Sequence, residues 1–192
     1  MVEVTKSLPN LIKYQPFGFT SLDQVTINSD EKNFVRIIDN NIVGNKKTSS
    51  KQEENIVGLK EATGNMAQAS QTMYLTDGKI DMYSGEDGLV LPMLSIGSIG
   101  VISVWSNIAP RQVHDLCYSY FNGDMETAQK LQREALPLVD ALFSDVNPIP
   151  VKTAMNLMGM EVGPLRAPLC DMSDAAKAKL IEAMKNYGLK LV

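Results

Sequence analysis

Asn55-Ile-Val-Gly-Leu-Lys60-Glu-Ala-Thr-Gly-Asn65 is the stretch that decides the fold of this chain. Its apolar run at 56–59 is continuous, as expected for a strand that is buried on both faces. The strand ends near Lys60, and Thr63-Gly-Asn65 opens a predicted helix that extends to about residue 74. A buried strand followed directly by a helix is the first part of a βαβ unit, so this stretch favours a parallel sheet.

The same order recurs twice downstream, which gives a β-α-β-α-β-α pattern over residues 55–122. The predicted strands are 56–59, 80–83 and 99–104. The predicted helices run from about 63 to 74, from 84 to 94 and from 107 to 121. Strands that alternate with helices pair in parallel through right-handed crossovers. The strand ends at Lys60, Tyr83 and Val104 are therefore expected on one edge of the sheet.

Residues 123–192 are predicted to form a helical region. Helices are expected at 124–143, at 151–160 and from Ser173 to about 187. The first of them has apolar residues near helical spacing, among them Leu131, Leu138 and Leu142. An exposed apolar stripe of this kind is typical of a partner site, so we expect this region to contribute to self-association.

Residues 1–54 differ in character from the rest of the chain. They are polar and rich in Asn and Lys, with two short β-favouring runs at 24–27 and 34–38. We interpret them as a divergent N-terminal segment, either a partly ordered arm or a region with one or two strands.

The composition narrows the class of protein. Hydrophobic residues make up 44% of the chain, its net charge is −4, and no Lys/Arg cluster indicates a nucleic-acid face. The most apolar window, 89–104, is interrupted by Pro92 and by Gly and Ser residues, so no membrane span is expected. The two cysteines, Cys117 and Cys170, are expected to be reduced thiols in the cytoplasm. The single histidine, His114, cannot close a zinc site with one thiol, and we expect neither a metal nor a cofactor.

Position alone leaves two interpretations of each strand end. Lys60, at the carboxyl end of a parallel strand between apolar side chains, is either a nucleophilic amine or a lysine that reaches solvent. Ser84-Gly-Glu-Asp87 is either a site where a ligand carboxylate meets backbone N–H groups or an ordinary turn with acidic N-cap residues. The strand at 99–104 either packs around a small ligand or is a core strand without a chemical role.

Five strings in this chain resemble, in order, the C-terminal half of the dihydrodipicolinate synthases, also called 4-hydroxy-tetrahydrodipicolinate synthases. The resemblance covers about residues 55–192. The strings are Asn55-Ile-Val-Gly-Leu-Lys-Glu-Ala-Thr-Gly-Asn65, Tyr83-Ser-Gly-Glu-Asp87, Gly100-Val-Ile-Ser-Val104 followed by Asn107-Ile-Ala-Pro110, Asn147-Pro-Ile-Pro-Val-Lys152, and Arg166-Ala-Pro-Leu169.

This resemblance implies an α/β fold that is a partial (β/α)₈ TIM barrel, namely its last three βα units, with a C-terminal helical extension. It implies a Schiff-base lyase in which Lys60 is catalytic and forms an imine with pyruvate, while Gly85 and Ile102 bind that substrate. The enamine would then attack aspartate semialdehyde, a step of lysine and diaminopimelate biosynthesis. The resemblance adds no cofactor and no metal.

The family also has an N-terminal half-barrel with a threonine pair, a proton-relaying tyrosine and an arginine, for which residues 1–54 offer no counterpart. We therefore expect low turnover, and a homo-oligomer or pairing with related subunits. Two other functions stay open at this point. One is a non-catalytic truncated relative that binds synthase subunits, and the other is an aldolase of the N-acetylneuraminate lyase type.

Overall fold

The computed structural model describes residues 57–192 and, before them, the backbone of three short strands. These are β1 (Val25–Ser29), β2 (Asn33–Ile38) and β3 (Asn41–Val43), which pair antiparallel in that order. Both β-favouring runs of the N-terminal segment are therefore strands, and β3 was not predicted. The possible arm at the remaining positions before residue 57 lies outside the described residues.

A second sheet contains the three strands that the sequence predicts as parallel. These are β4 (Gly58–Glu61), β5 (Asp81–Ser84) and β6 (Gly100–Val101). They are parallel and lie in the order β4-β5-β6, with Lys60 opposite Tyr83 and Ser84 opposite Val101. The parallel arrangement and the shared carboxyl edge are confirmed.

The third strand is shorter than predicted, because it ends at Val101 and not at Val104. The backbone N–H groups of Val104 and Trp105 donate to the carboxylate of Asp87, at 2.9 and 2.8 Å. The chain then turns into a short 3₁₀ helix, Trp105–Asn107. The carboxylate of Asp87 thus accepts the hydrogen bonds of two N–H groups that a longer strand would have used for pairing in the sheet.

Six α-helices follow the predicted order in the described part of the chain. They are α1 (Met66–Leu75), α2 (Val90–Ser95), α3 (Pro110–Phe121), α4 (Met125–Leu142), α5 (Ile149–Leu157) and α6 (Asp174–Asn186). The side chains of Asn65, Asp124 and Ser173 each accept a hydrogen bond from the N–H three residues later, which is the N-cap geometry. Local capping chemistry therefore fixes where α1, α4 and α6 begin.

One large apolar core joins the βα units to the helical region. Trp105, Leu116, Leu142 and Leu180 have no exposed surface in this core, which is formed by α2 to α6. None of the helices among residues 57–192 is long and apolar enough to cross a membrane. The βα units and the helical region therefore stabilise each other.

The apolar stripe on α4 lies inside the chain. Leu138 and Leu142 are 1% and 0% exposed, and Leu131 is half-buried against the same core. Leu138 and Leu142 therefore offer no surface to a partner, because helical periodicity marks a buried face without showing what covers it. A contribution of the helical region to self-association stays a prediction. Here α4 packs against α3 and α6 of its own chain.

We expect the two cysteines to differ in reactivity. Burial on α3 raises the pKa of the Cys117 thiol from 9.0 to about 11, whereas Cys170 is exposed between α5 and α6. Because the thiolate is the reacting form, Cys117 should be alkylated at least about 100-fold more slowly than an unperturbed thiol at pH 8. The measurement is alkylation followed by peptide mass, with Cys170→Ser and the denatured protein as controls. Similar rates for both thiols in the folded protein would contradict this.

Candidate active site at the carboxyl edge of the parallel sheet

Lys60 lies on β4, one residue before the strand ends, and its side chain is exposed. Side chains alternate between the two faces of a strand, so Lys60 and Leu59 face opposite ways. Leu59 packs with α1 and α2 against Met82. Lys60 therefore belongs to the sheet face that α1 and α2 do not cover, the face that points inward in a closed barrel.

Gly85 directly follows β5 and lies against the Lys60 side chain. Its N–H donates to the carbonyl oxygen of Glu61. A Cβ at this position would lie 2.6 Å from the Cβ of Ala62, 2.8 Å from the Glu61 oxygen and 3.0 Å from Cε of Lys60. Only glycine fits so close an approach, and it leaves the backbone open beside the lysine amine.

Ile102 completes the set at the end of β6. Its N–H donates to the carbonyl oxygen of Ser84 at 2.8 Å, which fixes it beside the end of β5, and its side chain is 42% exposed. The structure thus brings Lys60, Gly85 and Ile102 to one edge on three neighbouring strands. Their roles as imine-forming and pyruvate-binding residues stay predictions.

The apolar enclosure that was expected around Lys60 is not formed by the described residues. Val57 and Ile102 are 40% and 42% exposed, and Leu59 points to the helix side of the sheet. The reason is the two-residue period of a strand, which places adjacent residues on opposite faces. Within residues 57–192 the amine is open to water.

Asp87 has a role that sequence reasoning missed. One of the two interpretations of 84–87 made its acidic residues N-caps, and Glu86 has that role, since its carboxylate accepts from the N–H of Gly88 at 3.1 Å. Asp87 is 1% exposed, and its carboxylate binds the N–H groups of Val104 and Trp105. Burial raises the pKa of this carboxyl above its ordinary value, and hydrogen bonds from the Ser103 side chain and from the two N–H groups oppose part of the increase. No local sequence signal separates the two acidic residues, because the partners of Asp87 lie 17 and 18 positions away.

His114 stands apart from this edge. Its Nδ1 lies 2.9 Å from a carboxylate oxygen of Asp115, and its ring stacks on Tyr118 at a centroid distance of 5.4 Å. Among residues 57–192 no group of three or more His, Cys, Asp or Glu side chains is arranged to hold a metal ion.

The sequence model of the dihydrodipicolinate synthetase family matches residues 39–187. The chain belongs to this family. A relative from Lachnoclostridium phytofermentans, named 4-hydroxy-tetrahydrodipicolinate synthase, is 52% identical over 136 residues, which are 71% of this chain and 46% of the relative. The chain thus spans about half the length of the curated relatives it matches.

Solved structures of the family have the same fold over the matched part. Dihydrodipicolinate synthase from Aquifex aeolicus superposes with a TM-score of 0.71 at 39% identity, over 74% of this chain and 48% of that one. The chloride-inhibited synthase from Acinetobacter baumannii, complexed with pyruvate, superposes with a TM-score of 0.67 at 34% identity, over 71% of this chain and 47% of that one. These are structures of TIM-barrel synthases, and the part described here is α/β with a three-stranded parallel sheet.

Replacing Gly85 with alanine should disrupt the edge. The added methyl group meets Ala62 and the Glu61 carbonyl at distances that real Cβ atoms essentially never show, so β4 or the Gly85 loop must shift. We expect a loss of about 1–3 kcal/mol in the free energy of unfolding. Gly100→Ala is the matched control, since its Cβ meets only the Tyr83 ring at 3.5 Å, an ordinary contact. Equal urea midpoints for the two variants would show that the close approach of Gly85 to β4 does not contribute to stability.

Asp87 should make stability depend on pH with a defined sign. Because its pKa is raised in the folded protein, the fold favours the protonated form, and this contribution is lost as the pH rises through the folded pKa. Relative to Asp87→Asn, which does not titrate, the wild type should therefore gain stability as the pH falls from 7 toward 4. Asp87→Ala should cost about 1–3 kcal/mol throughout, since two buried N–H groups lose their acceptor. Urea unfolding of the three proteins across this range measures the difference, and a difference of the opposite sign would refute the assignment.

Proposed function

We propose that this chain carries the imine-forming half of a 4-hydroxy-tetrahydrodipicolinate synthase site, with Lys60 as the amine that condenses with pyruvate. The observation that supports this most directly is that Cε of Lys60 lies 3.0 Å from the place a Cβ of residue 85 would occupy, so that only glycine fits beside the lysine at the carboxyl edge of the sheet. Family membership and a pyruvate-bound relative of the same fold support the choice of substrate.

The chemistry needs few groups in its first steps. The neutral Lys60 amine attacks the keto carbon of pyruvate, water leaves, and an imine forms. Loss of a methyl proton gives the enamine, whose carbon attacks the aldehyde carbon of aspartate semialdehyde. Gly85 leaves room for pyruvate beside the lysine, and Ile102 supplies an apolar wall on the β6 side.

Turnover needs groups beyond those of residues 57–192. A positioned acid–base group typically contributes roughly 10²–10⁴-fold to a rate, and the matched relatives are about twice as long as the part that this chain spans. We therefore propose that a related synthase subunit supplies the remaining strands and the acid–base group. The chain alone is expected to form the imine slowly and to consume little aldehyde.

The two other functions are weaker. The relatives named above are 4-hydroxy-tetrahydrodipicolinate synthases, which does not favour an aldolase of the N-acetylneuraminate lyase type. A non-catalytic subunit that only binds synthases has no observation of its own in its favour. The cytoplasm, where both substrates of the proposed reaction would be available, stays the predicted location.

Borohydride reduction in the presence of pyruvate tests the proposal on the full chain. We expect one reduced pyruvate adduct on the peptide that contains Lys60, none in Lys60→Ala, and unchanged labelling in Lys130→Ala, which removes an exposed lysine on α4. Aspartate semialdehyde consumption should stay far below the 1–10³ per second that is typical of enzymes.

Two results would contradict the proposal in different ways. No adduct on Lys60 at saturating pyruvate would remove the imine chemistry and leave the non-catalytic function. Turnover of the isolated chain within the usual enzymatic range would show that the proposed need for a second polypeptide is wrong.

A further inference from the structure

Gln132 is a polar residue on the buried face of α4. It is 7% exposed, and its neighbours along that face are alanine, leucine and valine side chains of the large core. Helical spacing alone would favour an apolar residue at this position. A buried amide persists in such a core when its donor and its acceptor are both used.

Both polar atoms of the Gln132 amide bind the loop at the end of β5. Oε1 accepts from the N–H of Leu91 at 3.0 Å, and Nε2 donates to the carbonyl oxygen of Asp87 at 3.1 Å. Leu91 lies in the first turn of α2, where backbone N–H groups lack partners within the helix. One side chain of the helical extension therefore holds the whole segment from Asp87 to the start of α2.

Asp87 extends this connection to the end of β6. Its carboxylate holds the N–H groups of Val104 and Trp105. Gly85 lies two residues before Asp87, and Ile102 lies two residues before Val104. A connected set of hydrogen bonds thus runs from α4 to Asp87 and Val104, each of which lies two residues along the chain from a residue that flanks the proposed pyruvate position.

We infer that Gln132 is a positioning residue of the imine site and acts through Asp87 on the loops that carry Gly85 and Ile102. The inference rests on the proposed function, and it goes beyond it by assigning a role to the helical extension. Gln132 itself touches neither Lys60 nor any position where pyruvate would lie. Loss of the Gln132 side chain should displace the loops that carry Gly85 and Ile102. A displacement of about 1 Å in a reacting site can cost roughly 10²-fold in rate.

The test compares Gln132→Leu, which removes both hydrogen bonds at similar size, with Gln132→Glu, which keeps an acceptor for the Leu91 N–H. Gln129→Leu is the matched control, because Gln129 is exposed on the same helix. The first readout is the pyruvate concentration that gives half-maximal trapping at Lys60. We expect an increase of at least about tenfold for Gln132→Leu, a smaller one for Gln132→Glu, and none for the control.

The second readout does not depend on pyruvate. Amide hydrogen exchange at Leu91, Val104 and Trp105 should accelerate by at least about tenfold in Gln132→Leu but not in the control. The emission of Trp105, the single tryptophan, should shift in parallel. If Gln132→Leu does not fold, Gln132→Glu takes its place in both measurements, with faster exchange at Val104 and Trp105 expected.

The outcomes separate this inference from the proposed function. Normal trapping by the wild type and by a folded Gln132 variant would overturn the positioning role and leave the imine chemistry intact. If the wild type does not trap pyruvate, the proposed function fails, and exchange alone decides whether Gln132 positions these loops. Unchanged exchange at Val104 and Trp105 would overturn the inference in either case.

Discussion

The carboxylate of Asp87 is the interaction on which the rest of the site depends. It is buried, and a buried polar group is tolerated only where hydrogen bonds compensate for lost water. Its two N–H donors come from the segment that follows β6, so these hydrogen bonds connect the end of β5 to the end of β6. The same bonds end β6 early and start the 3₁₀ helix that places Trp105 in the large core.

That core explains why the helical extension matters to the edge of the sheet. Trp105 packs edge-on against Tyr187, which follows α6, with ring centroids 6.1 Å apart. On the opposite side of the loop, Gln132 of α4 holds the main chain of Asp87. The strand ends are therefore fixed from the helical side, while the face that carries Lys60 has no such support within residues 57–192. On the proposed function, this uncovered face is where the strands of a partner subunit would pack.

Local chemistry predicted much of this fold, and long-range hydrogen bonds account for what it missed. The caps at Asn65, Asp124 and Ser173 and the apolar run before Lys60 are readable because their partners lie within a few positions. The end of β6 was misplaced because an apolar run continues to Val104, while the acceptor that ends the strand is 17 residues away. The two hydrogen bonds of Gln132 could not be predicted for the same reason, because its partners lie 41 and 45 residues away. The three candidate site residues, Lys60, Gly85 and Ile102, came from the resemblance to the family. The resemblance did not indicate the hydrogen bonds of Asp87 and Gln132, which hold the loops around them.

Lys60 is exposed in the described part of the chain, so added strands would have to cover it. Within the described residues, β4 and β6 each have one side without a hydrogen-bonded neighbour, and such edges tend to pair with another strand. Added strands would satisfy those edges and cover the face that holds Lys60 and Ile102. The same event would exclude water from the surroundings of the amine. On the proposed function, completion of the sheet and enclosure of Lys60 would therefore be one physical step, and imine formation should become faster with a partner that pairs with these edges.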